Sequence, residues 1–172
     1  MSDITHVLEL LSEAHPAPEE VRRGATDDEL VQLEVDLGTP FPAELLEWLR
    51  ACRGTTAGPG GLYGVGKDPE CLDIAYILDG FPAWRAKGWI PVAGDGNGNY
   101  FVLTSESNGN PVGFVEPMET EEEIQFYVAS NLFIFLREIL ANEVARTGWP
   151  FDAAYISGVD PDLLSLSPLP WS

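Results

Sequence analysis

Acidic and amide side chains at alternate positions are the residue types that hold hard cations, and the chain carries one such run. Asp95-x-Asn97-x-Asn99, with Glu106 eleven residues after Asp95, has the oxygen-ligand spacing of a calcium loop. The sixth position of such a loop needs glycine for its sharp turn, and Tyr100 stands there. The residues after Tyr100 read as a strand, which carries Glu106 away from the turn, so no metal is expected. Gly94-Asp95-Gly96-Asn97-Gly98 also has the look of a phosphate-cradling loop. No helix follows to supply a positive N-terminus, and no Lys-Ser/Thr pair is present, so nucleotide binding is not expected. Nucleophilic catalysis needs a base beside its nucleophile. The two histidines, His6 and His15, both lie in the N-terminal segment, and Cys52 and Cys71 sit in no catalytic signature. A general acid needs a carboxyl whose pKa is raised by burial. None of the 28 acidic residues sits in a setting apolar enough to single it out. An enzyme is not expected, and neither is a cofactor.

What remains is chemistry by surface charge. The 28 acidic residues face 9 basic ones, for a formal net charge of -19. Such a field repels phosphate backbones and anionic lipid, which argues against nucleic-acid and membrane partners. It speeds encounter with a basic protein. The acid is most concentrated over residues 116–123, in Glu116, Glu119, Glu121, Glu122 and Glu123. These five, with Asp95 and Asn97 at the glycine-rich turn, are the candidate partner-binding residues; the alternative is a solvated loop. Tyr63, Trp84 and Tyr100 are the candidate aromatic anchors, with core packing as the alternative for each.

The elements that must hold these groups are legible in the hydrophobic pattern. Residues 89–103 run apolar up to the Asp-Gly and Asn-Gly turn and resume beyond it, as two strands of a hairpin do. A third apolar run over 111–115 follows a second turn at Ser107-Asn108-Gly109-Asn110, which predicts an antiparallel meander. A short amphipathic helix is predicted over 3–14, with Ile4, Val7, Leu8 and Leu11 on one face, ended by Pro16 and Pro18. Thr26-Asp27-Asp28-Glu29 is a capping box, followed by the stripe Leu30, Leu33, Leu37 and a terminating Gly38. Phe41-Pro42 opens the next helix, with Pro42 in its first turn, Leu45, Leu46, Trp48 and Leu49 buried, and Gly54 as its stop. Residues 62–65 read as a short strand and 69–78 as helix or strand, while 81–88 read as irregular. Residues 124–128 either extend a strand or start a helix. Ser130 is the expected N-cap of a helix over 131–145, whose Leu132, Phe135, Leu136, Ile139, Leu140 and Val144 should dock on the sheet. The aromatic tail, with Trp149, Phe151, Tyr155 and Trp171, is expected to pack.

At 172 residues the chain has the size of one ordinary domain. Met-Ser-Asp-Ile-Thr-His lacks a basic or apolar leader, and no apolar run is long enough to span a bilayer, so a cytosolic protein is expected. Both cysteines are expected as reduced, small buried hydrophobes.

These motifs, in their order, resemble a known family. Thr26 to Glu34 in its capped helix, Leu37-Gly38, and Phe41-Pro42-Ala43-Glu44-Leu45-Leu46-Glu47-Trp48-Leu49 are similar to the opening helix pair of the SUKH superfamily, the Smi/Knr-type fold. Gly61-Leu62-Tyr63-Gly64-Val65 resembles its glycine-aromatic strand, and Trp89-Ile90-Pro91-Val92 with the turn from Gly94 to Tyr100 resembles its tryptophan strand and GDG turn. Asn97 and Asn99 stand where that family often has Gly and Asp. The resemblance implies an α+β single domain, a mostly antiparallel central sheet with helices packed against it. It divides the chain into an N-terminal helix and linker over 1–24, a SUKH-like domain over 25–146, and a packed tail over 147–172. It also implies an immunity protein of a bacterial toxin system, binding a cognate protein toxin that is often a nuclease; the acidic residues above would then meet a basic surface of that toxin and, against a nuclease, stand in for phosphate. The alternatives are a regulatory scaffold domain and, from another class, a small carboxylate-dependent hydrolase.

Overall fold

The computed structural model describes residues 4–15, 23–66 and 70–172. The expected helix start at Asp3, the proline break at Pro16 and Pro18, and Pro69 lie outside them. Among the described residues the architecture is α+β, as expected. Three helices come first: α1 (Ile4–Ala14), α2 (Asp27–Leu37) and α3 (Ala43–Ala51). A 3-10 turn (Glu70–Leu72), α4 (Ile74–Gly80) and α5 (Pro82–Lys87) lead into the sheet. Its strands are β1 (Ile90–Gly94), β2 (Tyr100–Leu103), β3 (Val112–Val115) and β4 (Phe126–Ala129), antiparallel in the order β1-β2-β3-β4. The long helix α6 (Leu132–Ala145), α7 (Ala153–Val159) and a 3-10 turn (Pro161–Ser165) complete the chain.

Local signals account for most of these elements. Thr26 and Glu29 form the reciprocal capping box, and Gly38 takes the left-handed C-terminal position at φ 66°. Glu29 also pairs with Arg53, which ties α2 to the loop after α3. Pro42 is the N-cap of α3 and not a residue of its first turn, because it is extended at ψ 149°. That helix stops at Ala51, short of Gly54: Cys52 is extended, and Thr55 pairs with Leu62. The expected strand at 62–65 forms isolated bridges to Thr55, Ala93 and Asp73. The stretch read as irregular, 81–88, contains α5, with Pro82 in its first turn and Gly88 left-handed at φ 70°. Residues 126–129 settle as strand, and Asn131, not Ser130, caps α6 by accepting from Ile134 N. Ser130 is claimed by Asp160, which accepts from its N at 2.8 Å and its Oγ at 2.6 Å.

The strands are buried along nearly their whole length, which requires cover on both faces. Successive residues of a strand point to opposite sides. Phe101, Phe114 and Phe126 sit opposite one another in register and form a row across three strands. Phe135 of α6 meets that row 5.1 Å from Phe101, and Trp149 of the tail joins it at 6.0 Å. Helix α1 lies along α6. Tyr100, one residue from Phe101, faces the other way and meets Phe81 and Trp84. Val144, expected in the core, is exposed near the end of α6, and Cys71 is exposed where burial was expected.

Both sheet edges are covered, which removes the unpaired ladder that invites aggregation. Tyr63 N donates to Val92 O and Gly94 N to Gly61 O along β1. Tyr127 N donates to Pro168 O and Trp149 Nε1 to Val128 O along β4. The tail is further held by Glu138 on α6, 2% exposed, which accepts from Arg137 Nε and from the Tyr155 hydroxyl.

The glycine-rich turn owes its composition to close backbone approach. A Cβ on Gly96 would stand 2.5 Å from the Pro59 carbonyl oxygen, and Gly96 has φ 83°. Gly98, at φ 91°, has open space where a Cβ would be. Gly96→Ala is therefore expected to cost about 2–3 kcal/mol and Gly98→Ala about 1 kcal/mol, read by urea unfolding. Equal costs would show that the approach of residues 59–60 does not matter.

Candidate partner-binding site

The antiparallel order decides where the candidate residues lie. The chain turns from β1 to β2 over 95–99 and from β3 to β4 over 116–125, so both loops leave the same end of the sheet. Tyr100 is paired with Val115, which sets Asn99 and Glu116 side by side. Asp95, Asn97, Glu116, Glu119, Glu121, Glu122 and Glu123 are thus gathered at one end by the meander itself.

They do not all face water. Asp95 turns into its own loop: Oδ1 accepts from Asn97 N and Asn99 N at 2.7 and 3.1 Å, and Oδ2 from Asn99 Nδ2 at 2.8 Å. Its carboxylate is spent on shaping the turn. Asn97 is exposed at the crest. Glu116 is half-buried, and its carbonyl accepts from Glu119 N and Thr120 N. Glu119, Glu121, Glu122 and Glu123 are exposed.

The backbone beneath those four is fastened to α5. Trp84 Nε1 donates to Glu121 O at 2.5 Å, and Lys87 Nζ donates to Glu122 O. Gln125 N returns to Phe114 O, closing the loop onto β3. Main-chain carbonyls make the attachments, so the carboxylates stay free in water. A loop held this way loses little entropy when a partner arrives.

The aromatic anchors divide. Trp84 is 0% exposed and Tyr63 5%, so both are core; Tyr100 is half-exposed at the head of β2. Burial, and after it Tyr100, Cys71 and Asp95, holds the Tyr63 phenol far above its ordinary pKa, and burial raises that of Tyr100. Both remain protonated donors at neutral pH. Met118 was not singled out, yet it is 94% exposed amid the carboxylates; its one signal was being apolar inside an acidic run. Tyr76, 54% exposed on α4, was missed as well.

The opposite end of the sheet holds a cavity of 590 Å³, lined in part by Glu44, Glu106, Asn110, Ser130 and Asp162. Glu106 is there and not beside Asp95, which removes the calcium-loop reading; it accepts from the Tyr127 hydroxyl at 2.9 Å. Burial and that bond push the Tyr127 phenol up to about 12. Glu44 is not singled out by its sequence setting. Burial raises its pKa, the Leu132 N–H that it accepts opposes this, and Glu47 adds to the rise. That environment comes from α6, 88 positions along the chain. Among the described residues no group of three or more His, Cys, Asp or Glu side chains is placed to hold a metal ion.

A carboxyl with a raised folded pKa binds its proton more readily in the native state, so its contribution to stability is present at low pH and lost as pH rises through the folded value. Glu44→Gln is therefore expected to melt at or above the wild-type temperature at pH 7, with the difference vanishing below pH 4.5, the unperturbed value. Thermal melts from pH 4 to 7 read this. A variant less stable at pH 7 would mean that the ionised carboxylate is needed by Leu132 N.

A four-stranded antiparallel meander clad by helices on both faces, with a fastened acidic loop at one end, is an α+β domain suited to holding a protein partner. The chain belongs to the SMI1 / KNR4 family (SUKH-1), which is matched over residues 24–138. Helix α1, the last part of α6 and the tail lie outside the matched segment. No curated protein matches the chain. Among the described residues no helix is long and apolar enough to cross a membrane.

Proposed function

We propose that this chain is a cytosolic immunity protein that binds and neutralises a cognate bacterial toxin without chemistry, its acidic sheet end covering a basic surface of the toxin. A nuclease is the toxin class that best fits, because its substrate-binding surface must be cationic. The observation that carries the reading is the 116–125 loop: its carbonyls are pinned by Trp84 and Lys87 while Glu119, Glu121, Glu122 and Glu123 face water. Family membership and the net charge of -19 support the same direction.

The test is whether a toxin-like gene lies beside this one and, with that gene in hand, co-expression of the pair followed by purification. The expected result is rescue of growth and a one-to-one complex whose association slows at least about tenfold between 20 and 500 mM salt, as electrostatic steering is screened. Growth arrest despite expression would end the immunity reading. Association indifferent to salt would end its electrostatic part.

A further inference from the structure

The acidic loop has an apolar neighbour. A groove of 350 Å³ runs between α4 and the head of β2, with Cys71, Tyr76, Ile77, Phe81 and Tyr100 among its walls and Asp79 on its rim. Its floor is held in place by aromatic packing. Phe81 stacks on Trp84 with ring centroids 4.0 Å apart, and Tyr100 meets both edge-on at 5.3 Å. Trp84 is also the residue that holds Glu121 O, so groove and acidic loop share one buried side chain and keep a fixed spacing. Tyr76 stands 54% exposed beside this floor.

Acidic residues lie at the groove and near it. Asp79 lies on α4 with its side chain mostly in water, reached by Arg85 at 3.1 Å. The start of the glycine-rich turn is near as well: a Cβ on Gly94, next to Asp95, would collide with the Tyr63 hydroxyl, and Tyr63 lies 6.1 Å from Tyr100. Residues 121–123 are tied to the groove through Trp84, which stacks on Phe81 and donates to Glu121 O. A second copy of this chain would bring the same acidic residues and be repelled, and so would anionic lipid. Surface charge governs approach and selectivity, whereas a desolvated apolar contact at the centre of an interface governs how long a complex lasts.

We propose that this groove seats a single apolar side chain of a basic protein partner, flanked in that partner by Lys or Arg residues that lie against Asp79 and the 116–123 loop. The proposal rests on the reading of a basic partner given above and adds where its apolar anchor goes.

The probes are two acetylated, amidated pentapeptides, Lys-Arg-Phe-Arg-Lys and Lys-Arg-Ser-Arg-Lys, titrated into the full, isotope-labelled chain and followed by amide chemical shifts. The phenylalanine peptide is expected to move the amides of Ile77, Gly80 and Tyr100 together with those of 119–123. It should bind at least tenfold more tightly than the serine peptide, and Tyr76→Ala should erase that difference without changing the melting temperature. If both peptides move only 119–123, and equally, the groove is overturned while the basic-partner reading stands. If neither peptide moves any amide, both are overturned. Self-association of the chain that Tyr76→Ala abolishes would replace the partner with a second copy and overturn the proposal.

Discussion

Replacing Trp84 with alanine is expected to destabilise the protein by about 4 kcal/mol, the range for emptying a fully buried indole site. For a chain of this size that corresponds to a fall in melting temperature of roughly 8–16 °C. The cost is large because Trp84 is 0% exposed and serves two structures at once. Its ring stacks on Phe81 and meets Tyr100, which joins α5 to β2. Its Nε1 donates to Glu121 O, which joins α5 to the acidic loop. Trp84→Phe separates the two roles: the ring packing is largely kept and the donor is lost. Glu121 is exposed, so its carbonyl finds water, and the phenylalanine variant should lose only about 1 kcal/mol. Amide hydrogen exchange over 119–125 should nonetheless quicken in Trp84→Phe, while exchange in β1 and β2 stays as in the wild type. Unchanged exchange over 119–125 would mean that the loop is held by its own turns and not by the indole.

How much of this arrangement can be read from residues alone depends on the range of the interaction. The capping box at Thr26 and Glu29, the left-handed Gly38 and the Asp95 turn are contacts within four residues, and their signals lie in the local sequence. The meander was legible too, and with it the convergence of the 95–99 and 116–125 loops at one end, because antiparallel strands joined in order fix which turns are neighbours. Helix α5 escaped although Pro82 and Gly88 mark both its ends, since six residues are too few to show a helical period. Ser130 had the right chemistry for an N-cap and lost the role to Asn131 because Asp160, 30 residues later, engages it. Glu44 acquired its environment from α6, far along the chain. The fastening of the acidic loop left no trace at all. Its acceptors are main-chain carbonyls, which every residue possesses, so nothing in the side chains of 121–122 announces them.

The second large effect concerns the loop's charge and separates a local surface from a global field. Reversing Glu119, Glu121, Glu122 and Glu123 to Lys shifts the charge by two at each site and leaves the chain net negative. Stability should change by less than about 1 kcal/mol, because all four side chains are exposed and the loop's anchoring bonds run through carbonyls that the substitutions keep. Association with the cognate toxin should slow by about 100-fold, since steering by a complementary patch supplies between one and three decades of rate. A matched control reverses four exposed acids elsewhere: Glu9 and Glu13 on α1, Glu143 on α6, and Asp162 at the far end of the sheet. The control changes the net charge by the same amount. If the whole-molecule field does the steering, both variants will slow equally, and the 116–125 loop has no special place. If the fastened loop is the docking surface, the control should slow by no more than about threefold, because charges more than a Debye length from the contact are largely screened at physiological salt. Stopped-flow association rates for the two variants, measured at one ionic strength, decide between these outcomes, and equal slowing would remove the loop from the interface.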